Sequence, residues 1–216
     1  MRSADKSIRD ATAPISPAAP VGIDATAGRP ISVELRPIEE AHRAWFLGAL
    51  ARSRESVGRW LPLNRDGESD DAFFNRQLRL CAEGDTTQRS YRRLAVLDDG
   101  TPMGLFALNS ISRGLSWEAD AIWWVDAAHR GRGVATAGVR ALLDHALGDM
   151  PQGLSLHGVH CGIEAGNDAS VRVAEKCGFV HDPTKRSHLE VDGRWVMHEF
   201  YLATQKTVGA TLRVSA

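Results

Sequence analysis

Apolar and polar positions along the chain change period as it proceeds, and the changes mark its elements. Ile31–Ile38 predicts a strand with Val33 and Leu35 on one face. From Glu39 to about Arg54 the apolar residues Trp45, Phe46, Ala49 and Leu50 recur at helical spacing. Ser56–Leu63 predicts a short second helix closed by Pro62. Asp71–Glu83 predicts a third, carrying Phe73, Phe74, Leu78 and Cys81 behind an acidic start. The period then shortens. Tyr91–Leu97 and Met103–Ile111 flank Asp98-Asp99-Gly100-Thr101, a hairpin signal. Trp117–Val125 and Gly153–Ile163 predict strands, followed by helices over Gly133–Leu147 and Ala169–Cys177, with Gly178 at the last helix's C-terminus. Ser187–Val191 and Trp195–Leu202 bracket Asp192-Gly193 as a second hairpin. The pattern predicts a mixed α/β domain over residues 31–203, between a disordered leader (1–30, rich in Ala, Pro, Thr and Ser) and a tail (204–216).

Composition changes this picture little. A chain of 216 residues can bury roughly 70% of its extended surface, enough for one core without staples. A net charge of −1 gives no global field for nucleic acid or membrane, so neither is an expected partner and any anion site must be local. Cys81, Cys161 and Cys177 sit in apolar patterns and read as buried thiols of a reducing compartment. Without a bilayer-length apolar run or a signal-type h-region, the expected location is the cytoplasm.

Candidate chemistry centres on Asp126–Thr136. A glycine-rich, doubly basic loop joins a strand's end to a helix's start, where unpaired amides and the helix dipole favour an anion. Gly131 and Gly133 permit close approach, and Arg130 and Arg132 add charge. The reading is a phosphate or pyrophosphate site; the bland alternative is a strand–helix turn with solvated arginines. The loop lacks a Walker lysine-hydroxyl pair and the G-x-G-x-x-G spacing of nucleotide sites.

Three features together resemble the GNAT N-acetyltransferase superfamily. Arg130-Gly131-Arg132-Gly133-Val134-Ala135 is similar to its R/Q-x-x-G-x-G/A loop. Asn167-Asp168-Ala169-Ser170, followed by Glu175-Lys176-Cys177-Gly178-Phe179, resembles the N-x-x-S…E-K-x-G-F signature of the RimJ/RimL-type branch. The order of elements agrees. That branch acetylates N-terminal amines of ribosomal proteins and, in other members, small amines. The resemblance implies an acyl-CoA acyltransferase fold: a mixed, mostly antiparallel, twisted sheet of about seven strands flanked by helices. It implies direct transfer from acetyl-CoA, as co-substrate, to a primary amine in a ternary complex. The pyrophosphate would lie on Arg130, Gly131, Arg132, Gly133, Val134, Ala135 and Thr136, and the pantetheine beside Trp124, Val125 and Asn167. Asn167 can equally serve as a helix cap. The acceptor is a peptide N-terminus or a small molecule such as a polyamine or aminoglycoside, and a homodimer is left open. A CoA-binding sensor without catalysis is the rival reading.

Many superfamily members place a tyrosine acid where this chain has Ala174. Ser170 lies one turn earlier on the same helix face and is the candidate acid for the CoA thiolate, unless it only bonds a backbone carbonyl. Candidate bases are Glu118 and Asp120, on one face of their strand, and the resemblance adds Glu190 near the last hairpin, where branch members place an acidic residue facing the acceptor site; a solvated carboxylate is the alternative for each. An α-amine near pKa ~8 needs less help than a lysine near ~10.4, which tilts the reading toward α-amines or low-pKa sugar amines. Trp123 and Trp124 point to opposite faces, so at most one would line the acceptor pocket directly; with Trp45 and Trp60 they give that pocket or the core an aromatic character. His188 and His198 are the one pair placed to meet across a hairpin, and two ligands make no metal site.

Overall fold

The computed structural model describes residues 22–23, 30–61, 63–64, 67–191 and 193–214. Strands β1 (Glu34–Arg36), β2 (Tyr91–Val96), β3 (Pro102–Ser112) and β4 (Glu118–Val125) pair antiparallel in that order, the last three as a meander. β5 (Gly158–Glu164) then joins β4 in parallel. β6 (Val180–Val191) and β7 (Arg194–Ala203) form a hairpin whose second strand pairs with β5. The seven-stranded sheet therefore runs β1-β2-β3-β4-β5-β7-β6. Gly22–Ile23 pairs separately with Pro30–Ile31.

Helices cover both faces. α1 (Arg43–Gly58) and α2 (Asp70–Thr87) pack on one, burying Phe46, Leu50 and Phe74 against Leu94, Leu105 and Trp124. α3 (Val134–Leu147) and α4 (Asp168–Lys176) pack on the other, with Val139, Leu142 and Leu143 against Phe106 and Leu108. β3 is buried on both sides, which is why its sequence runs apolar from Met103 to Leu108 without polar alternation. α3 lies so close to β3 that a Cβ on Gly138 would stand 2.3 Å from the Phe106 ring. That closeness fixes where the start of α3 meets the end of β4.

Several expectations are corrected. α1 continues unbroken to Gly58, because Ser53 and Val57 are buried on its inner face, so the second helix expected from Ser56 merges into the first; Pro62 lies outside the described residues. Residues 153–157 are loop, and the strand expected from Gly153 begins at Gly158. β6 starts at Val180 rather than Ser187. The expected tail carries a helix, α5 (Gln205–Val214), anchored where Gln205 Nε2 donates to Leu147 O at 2.7 Å. Almost all of the expected leader, and Asp192 of the hairpin, lie outside the described residues. Among the described residues no helix is long and apolar enough to cross a membrane.

Candidate active site

β4 and β5 are paired only over Glu118↔Gly158, Ala119↔Val159 and Asp120↔His160. Beyond that point β4 stays bonded to β3 as far as Val125, and β5 stays bonded to β7 as far as Glu164, but they no longer bond each other. The fork leaves backbone N–H and C=O groups of two strands facing a gap, an arrangement suited to an extended, amide-bearing ligand. A cleft of about 370 Å³ occupies the gap and passes through the sheet. Val57 and Trp60 line it from the α1 side, and Thr136, Asn167 and Ser170 from the α3/α4 side.

The turn after β4 forms one end of the cleft. Asp126, fully buried, accepts from Ala128 N–H (3.1 Å) and is gripped by Arg52 of α1, Nε at 3.2 Å and Nη2 at 2.6 Å. Burial alone would raise the Asp126 carboxyl, but the Arg52 guanidinium and the Ala128 amide hold it below the usual carboxylate range. Ser53 Oγ, also buried, accepts from Ala127 N–H at 2.9 Å. α1 thus fixes the root of the loop. Gly131 (φ 74°) and Gly133 (φ 83°) occupy left-handed backbone, which side chains beyond glycine resist. Gly133 is the N-cap of α3, and the first intrahelical bond is Ala137 N–H to Gly133 O (3.0 Å). The amides of Val134, Ala135 and Thr136 precede that bond, at the positive end of the helix dipole.

The sequence-predicted residues are distributed as follows. Trp124, Val125, Arg130, Gly131, Gly133, Val134, Ala135, Thr136, Asn167 and Ser170 all line the cleft. Arg132 stands beside it, Nη1 3.3 Å from His129 Nδ1. Asn167 caps α4 by accepting from Ser170 N–H (3.2 Å) while also facing the cleft. Both Trp123 and Trp124 border the gap, although their rings belong to opposite cores, one 6.4 Å from Phe179 and the other stacked 6.5 Å from Trp45. Asp120 sits where the strands part, and Glu118 Oε2 lies 3.4 Å from His160 Nε2. Glu190 is exposed on the edge strand β6, outside the cleft wall. His188 faces Met197, and His198 faces Ser187, so those two histidines lie on opposite faces. Among the described residues no metal-binding group of His, Cys, Asp and Glu occurs.

Two charged cleft residues, Glu164 and Arg172, are absent from the sequence reading, and two more, His198 and Lys176, enter it only as half of a histidine pair and as part of the family signature. Arg172 and Lys176 ride on α4 and add positive charge to the wall beside the loop. Glu164 ends β5, and the carboxyl ends of strands are where α/β proteins bind ligands, a signal that could have flagged it. Cys161 also lines the cleft; burial pushes its thiol far up, leaving it protonated and a poor nucleophile.

The chain matches the family described as "Acetyltransferase (GNAT) domain" over residues 32–180. It is similar to "Probable N-acetyltransferase YjcK" of Bacillus subtilis (strain 168), 33% identical over 101 residues that cover 47% of this chain and 54% of YjcK. The aligned stretch thus spans about half the length of that relative. Among solved structures, Mycobacterium smegmatis RimJ in complex with CoA-disulfide superposes with a TM-score of 0.74 at 21% identity, covering 85% of this chain and 89% of RimJ. Spermidine N-acetyltransferase from Vibrio cholerae, in complex with CoA and spermine, gives 0.64 at 20% identity, covering 82% and 97%. At such identities these structures establish the fold. Joined to the family match, they bear out the resemblance carried by the loop and the N-x-x-S segment: the chain belongs to the GNAT acetyltransferase family.

Proposed function

We propose that this protein transfers the acetyl group of acetyl-CoA to a primary amine by direct attack within a ternary complex. The fork between β4 and β5, ending at the glycine loop, is the observation that carries this reading. The pyrophosphate binds the amides from Gly131 to Thr136, assisted by Arg130 and Arg132, and Arg172 and Lys176 extend the same positive wall. The pantetheine arm bonds to the free edge of β4 beside Trp124 and Val125 and contacts Asn167. A backbone N–H near Val125 polarises the thioester carbonyl. The amine nitrogen attacks that carbon, the C–S bond breaks, and Ser170 delivers a proton to the departing thiolate. Ser170 Oγ borders the cleft and has no hydrogen-bond partner among the described residues, so it is free for this. The protonated state of Cys161 speaks against an acetyl-cysteine intermediate.

The acceptor we favour is a protein N-terminal amine, in the manner of the RimJ/RimL type. The likeness to a spermidine N-acetyltransferase supports a second reading, a polyamine. Thiol release measured against a panel of N-terminal peptides, polyamines and aminoglycosides decides between them. Acetyl-CoA at about 100 times its Kd should add ~2.7 kcal/mol to stability. Binding with silence across the panel would favour a CoA sensor, and the absence of any thermal shift would remove the donor-site assignment.

A further inference from the structure

On β5, Val159, Cys161 and Ile163 belong to the core beneath α3 and α4. Strand alternation therefore turns His160, Gly162 and Glu164 to the opposite face, the one α1 covers. His198 is the direct cross-strand partner of Glu164 and shares that face. Both residues line the cleft. Glu164 Oε2 is fully enclosed and has no hydrogen-bond partner. An enclosed carboxylate oxygen without a donor is costly and rare, and at a cleft wall it marks a place for a cationic donor from a ligand. His198 is buried, with Nδ1 3.0 Å from Val196 O. A carbonyl can only accept, so Nδ1 carries the hydrogen and Nε2 of the neutral ring keeps its lone pair.

We infer that Glu164 and His198 form the subsite that receives the acceptor amine, Glu164 pairing with it as an ammonium and His198 Nε2 taking its proton. This rests on the transferase reading above and assigns the acceptor side of it. One ammonium proton passes to His198, and the neutral nitrogen bonds to the acetyl carbon as the C–S bond breaks. A second proton leaves the nitrogen as the amide forms, and the thiolate gains one through Ser170. The sum is amide, CoA thiol and one proton released. The subsite selects a positively charged primary amine over a neutral hydroxyl of equal size, because only the cation satisfies Glu164. Other titratable groups on this face are His160 of β5, Glu118 and Asp120 of β4, and Asp182 and Lys185 of β6. His160 is already engaged with Glu118 at 3.4 Å, and the α1 residues Ser56 and Val57 on the cleft wall carry no charge.

The test compares Glu164→Gln, Glu164→Asp and His198→Gln with the wild type, using the best amine of the panel. Glu164→Gln should raise the acceptor KM at least about tenfold with acetyl-CoA affinity and melting midpoint unchanged, and Glu164→Asp should recover part of it. His198→Gln should lower kcat/KM about 10²-fold near neutrality, the deficit shrinking as pH rises toward the amine's own pKa. In the wild type saturated with CoA, the His198 imidazole NMR signal should shift when spermidine or an alanine-initiated hexapeptide is added. Unaltered KM and pH profile in folded variants, or an unmoved His198 signal, would overturn the assignment even while the wild type turns over. Should the wild type acetylate no amine at all, the transferase reading falls first and this subsite with it.

Discussion

The wall of the cleft made by β4, the 126–133 turn and the first turn of α3 offers backbone to a ligand, whereas the wall made by β5, β7 and the end of α1 offers side chains. The first wall depends on conformation: left-handed glycines, unpaired strand amides, and a loop root clamped by Arg52 and Ser53. Its determinants are nearly indifferent to side-chain identity elsewhere, which suits a donor that never changes. The second wall presents Glu164, His198 and Trp60, side chains that differ in charge and size. On the proposed assignment, donor binding would be written in the main chain and acceptor choice in side chains.

That division can be broken from the donor side first. Gly133→Val forces a β-branched residue into the left-handed region at the helix N-cap, and should cost about 10²–10³-fold in acetyl-CoA affinity by calorimetry. Retained affinity would mean that the backbone wall is not the donor site. Ser170→Ala should lower turnover about 10²-fold with little change in acetyl-CoA affinity; equal turnover would deny it the proton-donor role. Arg52→Ala leaves the buried Asp126 carboxylate half-satisfied. With Arg52 half-exposed, the cost is nearer about 2 kcal/mol than that of a fully buried pair, a fall of roughly 4–8 °C in Tm. Because Asp126 is held below its unfolded value of about 3.9, its contribution is complete above that pH and fades as pH drops through the lowered folded value. The Tm gap between wild type and Arg52→Ala should therefore be constant from neutral pH to about pH 5 and close below pH 4. The smallest effect is expected from Glu190→Gln, less than about twofold in kcat/KM, since that carboxylate stands exposed outside both walls. A larger loss would extend the acceptor site to the β6–β7 hairpin.

The same division governs what the sequence discloses. The donor loop is contiguous, and its glycines and arginines advertise a strand–helix junction, so ten of the cofactor residues expected there and at Asn167 could be named and nine of them border the cleft, Arg132 standing beside it. The sheet's inner strands were legible because burial on both faces makes them uniformly apolar. Only half of β6 is legible, for the converse reason: it is an exposed edge strand, and nearly every side chain from Val180 to Glu190 meets solvent on either face, leaving no alternation to read. The end of α1 is hidden in the sequence because Arg52, Arg54 and Glu55 interrupt its apolar stripe, although Ser53 and Val57 continue its buried face. Glu164 and His198 are 34 positions apart, and only the β5–β7 register brings them opposite one another.

The fork also has a consequence for local stability. A sheet interrupted at its centre gives up ladder bonds between β4 and β5, so residues 121–125 and 161–164 should open more readily than the rest of its middle. Acetyl-CoA bound in the proposed site would act there as a missing strand. Amide hydrogen exchange in the apo protein should be fast along those two inner edges and slow on their outer ones, with the contrast vanishing when the donor binds. The ligand would then be a structural member of the sheet for the duration of each turnover, and its departure as CoA would reopen the seam.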